Sequence, residues 1–147
     1  MDRETYLHRY LGRAAFSFKG ELEAAFAEAG YGVTAPQWAL LHALKRADGV
    51  PQKDLARRTF KDKTNVARIL ASLEERELIQ RRRNEEDQRF YRVLLTPQGE
   101  RVEKELRQIA SGTLDRALEG IPGDQLQATM NTLKQIYHNL SSPEKHS

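Results

Sequence analysis

The chain has 147 residues, with 24 Lys and Arg, 21 Asp and Glu, four His and no Cys. This length suits one domain with a sizeable core, and the lack of cysteine excludes a disulfide framework, a thiolate zinc site and an iron–sulfur cluster. No apolar run approaches the ~18–20 residues that cross a bilayer, and the charged N-terminus lacks the apolar stretch of a signal peptide. We therefore expect a soluble, cytoplasmic protein.

The basic charge is concentrated in the middle of the chain. Residues 52–92 carry 12 Lys and Arg against 8 Asp and Glu, a net charge of +4, whereas the remaining residues carry 12 and 13. This distribution favours an anionic partner at the central segment. A local excess of this size is also common on ordinary solvated surfaces.

Helical periodicity dominates the first part of the chain. An apolar stripe predicts a helix over about 4–28, which Gly30 helps to end. Thr34 and Gln37 form a capping box, which predicts that a second helix begins there and runs over 35–46.

The middle of the chain changes from helical to extended. A third helix is predicted over about 52–59, and a fourth follows the N-cap residue Asp62. From Leu78 the pattern is short and alternating, with a polar stretch over 84–88 ahead of the second extended run at 90–95. This pattern predicts a β-hairpin with a polar tip.

Two long helices complete the chain. Thr96 and Pro97 supply an N-cap and a first-turn proline for a fifth helix, and the turn at 120–123 leads into a sixth. The predicted order is helix, helix, short extended piece, helix, helix, hairpin, helix, helix. Two short helices followed by a hairpin predict a mainly helical, α+β, winged helix-turn-helix fold.

The fourth helix is the candidate recognition helix. At 100° per residue its buried stripe is Val66, Ile69, Leu70 and Leu73. The residues then turned outward are Thr64, Asn65, Arg68, Ala71 and Ser72. In the major groove Asn pairs with adenine, Arg with guanine, and Thr contacts a phosphate or a thymine methyl. The alternative is a solvated helix face, which the following hairpin makes less attractive.

The hairpin carries five arginines: Arg81, Arg82, Arg83, Arg89 and Arg92. Arginines at a β-turn can enter a narrow minor groove, and Asp87 is close enough in sequence to orient Arg89. Glu85 and Glu86 would repel phosphate, so we expect them to point away from the DNA. The alternative is a charged edge hairpin that is protected against aggregation.

The sequence contains no catalytic constellation. The four histidines have no metal-ligand spacing, and no nucleophile motif or phosphate-binding loop occurs. We therefore predict no enzyme activity, no metal and no cofactor. His42 follows Trp38 by one helical turn, so both can line one cleft, although a packed core histidine is the more ordinary interpretation.

The terminal helices carry more apolar surface than a small winged helix can cover. Their stripes include five aromatic residues: Tyr6, Tyr10, Phe16, Phe18 and Tyr137. Such a surface predicts a homodimer, which would set two recognition helices ~34–36 Å apart. The alternative is that these helices pack only within their own chain.

From Leu7 to Leu140 the sequence resembles the MarR (multiple antibiotic resistance regulator) family of transcription factors. The most specific segment is Arg81, then Asp87-Gln88-Arg89, then VLLTPQG from residue 93, which is similar to the family's D-x-R … L-T-x-x-G signature. The stretches VTAPQWALLHAL and QKDLARRTFKDKTNVARILASLEERELIQR are similar to the family's second helix and helix-turn-helix.

This resemblance implies a homodimeric regulator, usually a repressor, that binds a near-palindromic operator in duplex DNA. The recognition-helix residues that it implies are Lys63, Thr64, Asn65, Ala67 and Arg68. At the wing tip it implies a minor-groove arginine, Arg89, with Asp87 as its supporting acid. Family members commonly release DNA when a small aromatic or phenolic molecule enters a crevice. Here that crevice would be lined by Phe16, Trp38 and His42.

One position departs from the family pattern. Glu77 stands where the family usually has Gly after the recognition helix. Because a non-Gly residue in a left-handed cap costs ~1 kcal/mol, we expect the helix to end differently here.

We predict a single chain over 1–147, with a winged helix-turn-helix DNA-binding region at 33–96 and dimerisation helices at 4–29 and 97–140. The function predicted is sequence-specific regulation of transcription, with release by a small ligand. The alternative is a winged-helix architectural or protein-interaction module with little sequence preference.

Overall fold

The computed structural model describes residues 2–45, 49–59 and 63–141. The predicted N-cap Asp62 and the predicted end of the second helix at Arg46 lie outside the described residues. The chain divides into two compact units, Met1–Leu114 and Asp115–Ser147.

The predicted order of elements is confirmed. The elements are α1 (Arg3–Glu28), α2 (Ala35–Leu44), β1 (Val50–Pro51), α3 (Gln52–Thr59), α4 (Lys63–Glu75), β2 (Ile79–Arg83), β3 (Tyr91–Leu95), α5 (Pro97–Ala117) and α6 (Gly123–Ser141). The helix-turn-helix of α3 and α4 and the hairpin of β2 and β3, which is the wing, all belong to the first unit. The second unit contains α6 and the last residues of α5.

The wing is anchored in a three-stranded antiparallel sheet with strand order β1-β3-β2. In the hairpin Ile79 pairs with Leu95, and Arg83 pairs with Tyr91. The two-residue strand β1 pairs with β3, where Val50 lies opposite Val93. Through β1 the wing is therefore hydrogen-bonded to the segment that leads directly into α3.

The core of the first unit is formed by all of its helices and by the sheet. Its largest fully buried side chains are Phe26, Leu40, Leu41, Leu44, Leu55, Leu70, Leu73, Leu106, Val50 and Val93. Burial of one such side chain contributes about 1.5–3 kcal/mol. The predicted stripe of α4 is confirmed, because Val66, Leu70 and Leu73 are buried and Ile69 packs against the core.

The turn between α1 and α2 satisfies the ends of both helices. Gly30 adopts a φ of +92°, and the N–H of Tyr31 donates to the carbonyl of Phe26 over 2.8 Å. This is a Schellman end, for which glycine is suited because it has no Cβ. The predicted capping box is also present. The backbone N–H of Gln37 donates to the Thr34 hydroxyl over 3.2 Å, and the side-chain oxygen of Gln37 accepts from the backbone N–H of Thr34.

The end of α4 overturns the expectation that Glu77 changes the helix terminus. Glu77 adopts the left-handed conformation, with φ 60°, and its N–H donates to Glu74 over 3.0 Å. The N–H of Leu78 donates to Leu73 over 3.1 Å, which completes a Schellman motif with glutamate in the glycine position. Leu78 is 3% exposed, and its burial offsets the strain at Glu77.

The start of α5 lies directly against the end of α4. The Thr96 hydroxyl donates to the carbonyl of Glu77 over 2.6 Å and accepts from the N–H of Gly99 over 2.9 Å. A Cβ built on Gly99 would overlap the carbonyl oxygen of Leu78. In the Thr-x-x-Gly part of the signature, Thr96 therefore caps α5, and Gly99 leaves room for the nearby backbone of Leu78.

Replacing Gly99 tests this close approach. We expect Gly99→Ala to lower the free energy of unfolding by about 2–3 kcal/mol, because backbone must move to admit the methyl group. The control is Gly20→Ala in α1, where an added Cβ meets no atom within 4 Å; it should raise stability by about 0.5–1 kcal/mol. Urea unfolding followed by circular dichroism measures both, and equal stability of the two variants would contradict the overlap.

Replacing Glu77 tests the strain at the end of α4. Glu77→Gly should stabilise the fold by about 1 kcal/mol, because glycine adopts the left-handed conformation without a Cβ contact. The matched control, Ala71→Gly, replaces an exposed residue within α4 and should destabilise by about 1 kcal/mol. The same unfolding assay applies, and a loss of stability in Glu77→Gly would argue against a strained cap.

Candidate nucleic-acid interface

The outer face of α4 carries most of the predicted recognition residues. Thr64, Ala67 and Arg68 are exposed, whereas Asn65 is half-buried. Lys63 begins the helix, and its side chain lies outside the described part of the structure. Small neighbours and one long cation thus form a surface that can enter a major groove.

The orientation of α4 is fixed by a polar contact with α2. The side-chain amide of Gln37 donates to the hydroxyl of Ser72 over 2.9 Å. Ser72, which helical periodicity placed on the outer face, therefore belongs to the packing between these helices. Gln37 is itself held by the capping box with Thr34, so the residue that donates to Ser72 is fixed at the start of α2.

A two-bond fork holds the arginine at the wing tip. The guanidinium of Arg89 donates from Nε to Asp87 Oδ1 over 3.0 Å and from Nη2 to Oδ2 over 2.9 Å. The backbone N–H of Arg89 also donates to Oδ1, over 3.1 Å. The side chain of Arg89 is 83% exposed, so the fork presents an oriented cation to the surroundings.

The rest of the loop is ordered by its own hydrogen bonds. The N–H of Asn84 donates to the carbonyl of Phe90 over 2.9 Å, and the Asn84 side chain accepts from the N–H of Glu86 over 3.0 Å. Arg83 donates to the carbonyl of Gln88 over 2.9 Å. The tip therefore has a defined conformation before any ligand binds.

The fork also sets the ionisation of its two members. The hydrogen bonds from the Arg89 side chain and backbone hold the pKa of the Asp87 carboxyl below its ordinary value of 3.8, and Lys53 lowers it further by its charge. The carboxylate in turn raises the pKa of Arg89. Both groups are consequently charged throughout the neutral range.

The two faces of the wing differ in charge. A groove of about 350 Å³ separates α3 and α4 from the wing; among the described residues its lining includes three cations, Lys53, Arg81 and Arg89, and no carboxylate. A second groove of about 330 Å³ is lined by arginines and by Glu85 and Glu86. Glu85 and Glu86 therefore accompany the second groove, whereas the third acidic residue of the tip, Asp87, is paired with Arg89.

The predicted ligand residues are brought together only in part. The ring centroids of Trp38 and His42 lie 5.6 Å apart in a stacked arrangement. His42 Nδ1 lies 3.2 Å from Oε1 of Glu103, a carboxylate with a side chain 4% exposed. Arg107 Nε lies 3.4 Å from the same oxygen. This cluster of His42, Glu103 and Arg107 thus joins α2 to α5 beside the two aromatic rings.

Phe16 lies outside this cluster. It is 81% exposed on α1, and the rings that contact Trp38 among the described residues are those of Phe26 and His42. The indole Nε1 of Trp38 is buried and has no hydrogen-bond partner within the described part of the chain. A ligand would reach this donor only if the side chains that cover it moved.

Sequence reasoning missed Glu103, although the chain carries a signal for it. The buried positions of α5 are Gly99, Glu103, Leu106, Ala110 and Thr113. A glutamate on an otherwise small and apolar stripe requires partners, because a buried carboxylate is costly when it is unpaired. The approach of Lys53 to the wing tip carried no comparable local signal.

Among the described residues no cluster of three or more metal-ligating side chains occurs. None of the described helices combines the length and the apolar character that crossing a membrane requires.

Fold and surface together define a winged helix-turn-helix protein. The MarR family profile matches residues 31–89. The uncharacterized HTH-type transcriptional regulator YdgJ of Bacillus subtilis (strain 168) is 30% identical over 118 residues, which cover 80% of this chain and 71% of YdgJ. The chain belongs to the MarR family, whose members are transcriptional regulators and not enzymes.

Solved structures share this fold. The transcriptional repressor CouR, bound to a 23-mer DNA duplex, matches with a TM-score of 0.79 at 24% identity, over 88% of this chain and 91% of CouR. PcaV of Streptomyces coelicolor, in complex with its natural ligand, matches with a TM-score of 0.75 at 22% identity, over 92% of each chain.

The Asp87–Arg89 fork makes a pH-dependent prediction. Since the folded-state pKa of Asp87 is depressed, the fork stabilises the tip fully above pH 3.8, and this contribution is lost as the pH falls below that value. Arg89→Gln should raise the Asp87 pKa toward its ordinary value, as followed by carboxyl ¹³C NMR, while the backbone N–H of residue 89 and the charge of Lys53 keep part of the depression. Arg82→Gln, which removes a neighbouring cation outside the fork, should leave it depressed; an unchanged titration in Arg89→Gln would disprove the fork.

Proposed function

We propose that this chain is a homodimeric transcriptional regulator that binds a near-palindromic operator in duplex DNA and acts as a repressor in the cytoplasm. The observation that carries the proposal is the pairing, in one compact unit, of an exposed face on α4 with the fork-held Arg89 at the wing tip. The similar fold of CouR bound to DNA supports it.

The two elements take different parts in DNA recognition. Residues of α4 read base edges in the major groove: Lys63, Thr64, Asn65, Ala67 and Arg68. Arg89 enters the minor groove, where a narrow groove concentrates negative potential. Asp87 fixes the direction of the Arg89 guanidinium and leaves its outer edge exposed.

Regions 4–29 and 97–140 serve as dimerisation helices around a DNA-binding region at 33–96. On α1, Tyr6, Leu7 and Tyr10 are exposed. On α6, in the second unit, the exposed large hydrophobic residues are Met130, Leu133, Tyr137 and Leu140. Exposed stripes of this kind favour burial against another chain.

A small aromatic or phenolic effector that releases the DNA is the finer part of the proposal. Trp38 and His42 supply a stacked aromatic surface and a buried indole donor that has no hydrogen-bond partner among the described residues, with Phe16 as the third predicted residue. Trp38 is the only tryptophan of the chain, so intrinsic fluorescence reports on this site directly. Hydroxybenzoates should change this fluorescence and release bound DNA, and His42→Ala should weaken both effects. An unchanged DNA affinity at saturating ligand would reject the effector.

A binding titration tests the division between helix and wing. Footprinting on the upstream region first defines the operator, and single-base variants of it form the panel. Arg68→Ala should cost about 1–3 kcal/mol per half-site and relax the preference at particular base pairs. Arg89→Ala should weaken binding to all related sites, with lost discrimination confined to A·T-rich flanks.

The control is Arg3→Ala, which removes an exposed arginine at the start of α1, outside the DNA-binding region and both dimerisation regions. The stoichiometry should be two chains per operator, and affinity should fall with salt at a log–log slope of roughly −5 to −9 for ~6–10 phosphate contacts. A diffuse footprint, with equal affinity for every duplex, would favour an architectural module. Core preference lost in Arg89→Ala but kept in Arg68→Ala would reverse the assignment.

A further inference from the structure

A contact between distant parts of the sequence joins the tip of the wing to α3. The ammonium nitrogen of Lys53 lies 4.6 Å from the centroid of the Phe90 ring. The guanidinium carbon of Arg89 lies 5.8 Å from the same centroid. Both distances fall within the ~6 Å over which a cation is attracted to an aromatic face. Phe90 therefore holds one cation from the helix-turn-helix and one from the wing.

Two other contacts that attach the wing, both between described residues, lie nearer to the base of the hairpin. β1 pairs with β3 only as far as Pro51 and Arg92, and Arg81 Nε lies 3.6 Å from a carboxylate oxygen of Glu74. Arg89 lies beyond these points, in the loop. The contact between Lys53 and Phe90 attaches the wing to α3 at the residue next to Arg89.

We propose that Phe90 is a positioning residue of the DNA-binding surface, whose ring holds Lys53 and Arg89 together and so fixes the wing tip relative to α3. The inference rests on the proposed DNA-binding function. Simultaneous contact with a major and a minor groove requires a defined spacing between helix and wing. A tip that is already fixed avoids the entropy loss of ordering it on the DNA.

The charges around the ring fit this role. Lys53 and Arg89 repel each other, and the ring face and the Asp87 carboxylate compensate this repulsion from two sides. Lys53 is close enough to Asp87 to favour its charged form. The arrangement therefore links the fork, the ring and α3 in one continuous set of attractive contacts.

The test uses the full chain, its operator and the base panel described above. Phe90→Leu keeps an apolar side chain but removes the aromatic face. We expect about 5- to 10-fold weaker operator binding for a dimer with two wings, with discrimination lost in the A·T-rich flanks and the core preference kept. Phe90→Tyr retains a ring and should bind within about 2-fold of the parent.

Tyr91→Leu is the matched control. Tyr91 is 40% exposed against 39% for Phe90, and its own cation, Arg83 at 5.5 Å, belongs to the same hairpin. This variant removes a ring–cation contact without releasing the wing from α3, so its operator affinity should stay within about 2-fold of the parent. An equal loss in Tyr91→Leu and Phe90→Leu would overturn the inference.

Lys53→Met supplies the second arm. Because the two side chains act as a pair, Lys53→Met should weaken binding less in the Phe90→Leu background than in the parent. If the two losses simply multiply, Lys53 acts on the DNA independently and the inference is wrong. Parent-like binding by Phe90→Leu, or a binding loss that tracks a lowered melting temperature, overturns it as well.

An NMR measurement separates this inference from the proposed function. In the free protein the ε-methylene protons of Lys53 should show a ring-current shift that disappears in Phe90→Leu. The order parameter of the Arg89 amide should fall in that variant and stay unchanged in Tyr91→Leu. If the parent chain binds no duplex, the proposed function is wrong. If the Lys53 protons of the parent show no ring-current shift, or the order parameter of the Arg89 amide is unchanged in Phe90→Leu, the positioning role of Phe90 is wrong.

Discussion

The backbone carbonyl of Leu78 is the point on which the arrangement of recognition helix, wing and α5 depends. It accepts the N–H of Thr96 over 3.1 Å and lies so close to Gly99 that no side chain fits there. The N–H of the same residue closes α4 by donating to Leu73. The chain leaves α4 for β2 at this residue, and β3 enters α5 beneath it. The base of the wing is therefore held against α4 and α5 by backbone contacts, whereas the tip of the wing is held by side-chain contacts such as that of Lys53 with Phe90.

Helix α2 connects the two regions that the proposed function requires. Near its start, the Ala35 N–H donates a 2.7 Å hydrogen bond to the Glu23 carboxylate of α1, and the Gln37 side chain donates to the Ser72 hydroxyl of α4. One turn further on, His42 contacts buried Glu103 of α5. A molecule against Trp38 and His42 would touch the helix that positions α4. Rigid helices with discrete polar contacts are the kind of element through which two sites can influence each other.

Local patterns in the sequence predicted the elements well because their causes are local. The capping box of α2, the apolar stripe of α4 and the proline-led start of α5 each depend on residues within one or two turns. The prediction for Glu77 was wrong because the strain of a left-handed glutamate is local, whereas its compensation, the burial of Leu78, is tertiary. The inward orientation of Ser72 and Glu103 likewise depends on tertiary contacts, with Gln37 and His42 respectively. The approach of Lys53 to Phe90 spans 37 positions of the chain, and no periodicity reports such a pair.

The acidic residues at the wing tip become compatible with a DNA-binding surface once their positions are compared. Asp87 is used within the fork, where its two oxygens are engaged by Arg89. Glu85 and Glu86 accompany arginines at the second groove, so their charge is opposed locally. The groove between the wing and α3 has Lys53, Arg81 and Arg89 among its lining residues. Because exposed charges are screened over about 8–10 Å in physiological salt, a phosphate near this groove experiences the three cations together with Asp87 and Glu74, the carboxylates beside Arg89 and Arg81, and Lys53 leaves the groove with a net positive charge. The wing can therefore carry three carboxylates and still present a basic face toward the helix-turn-helix.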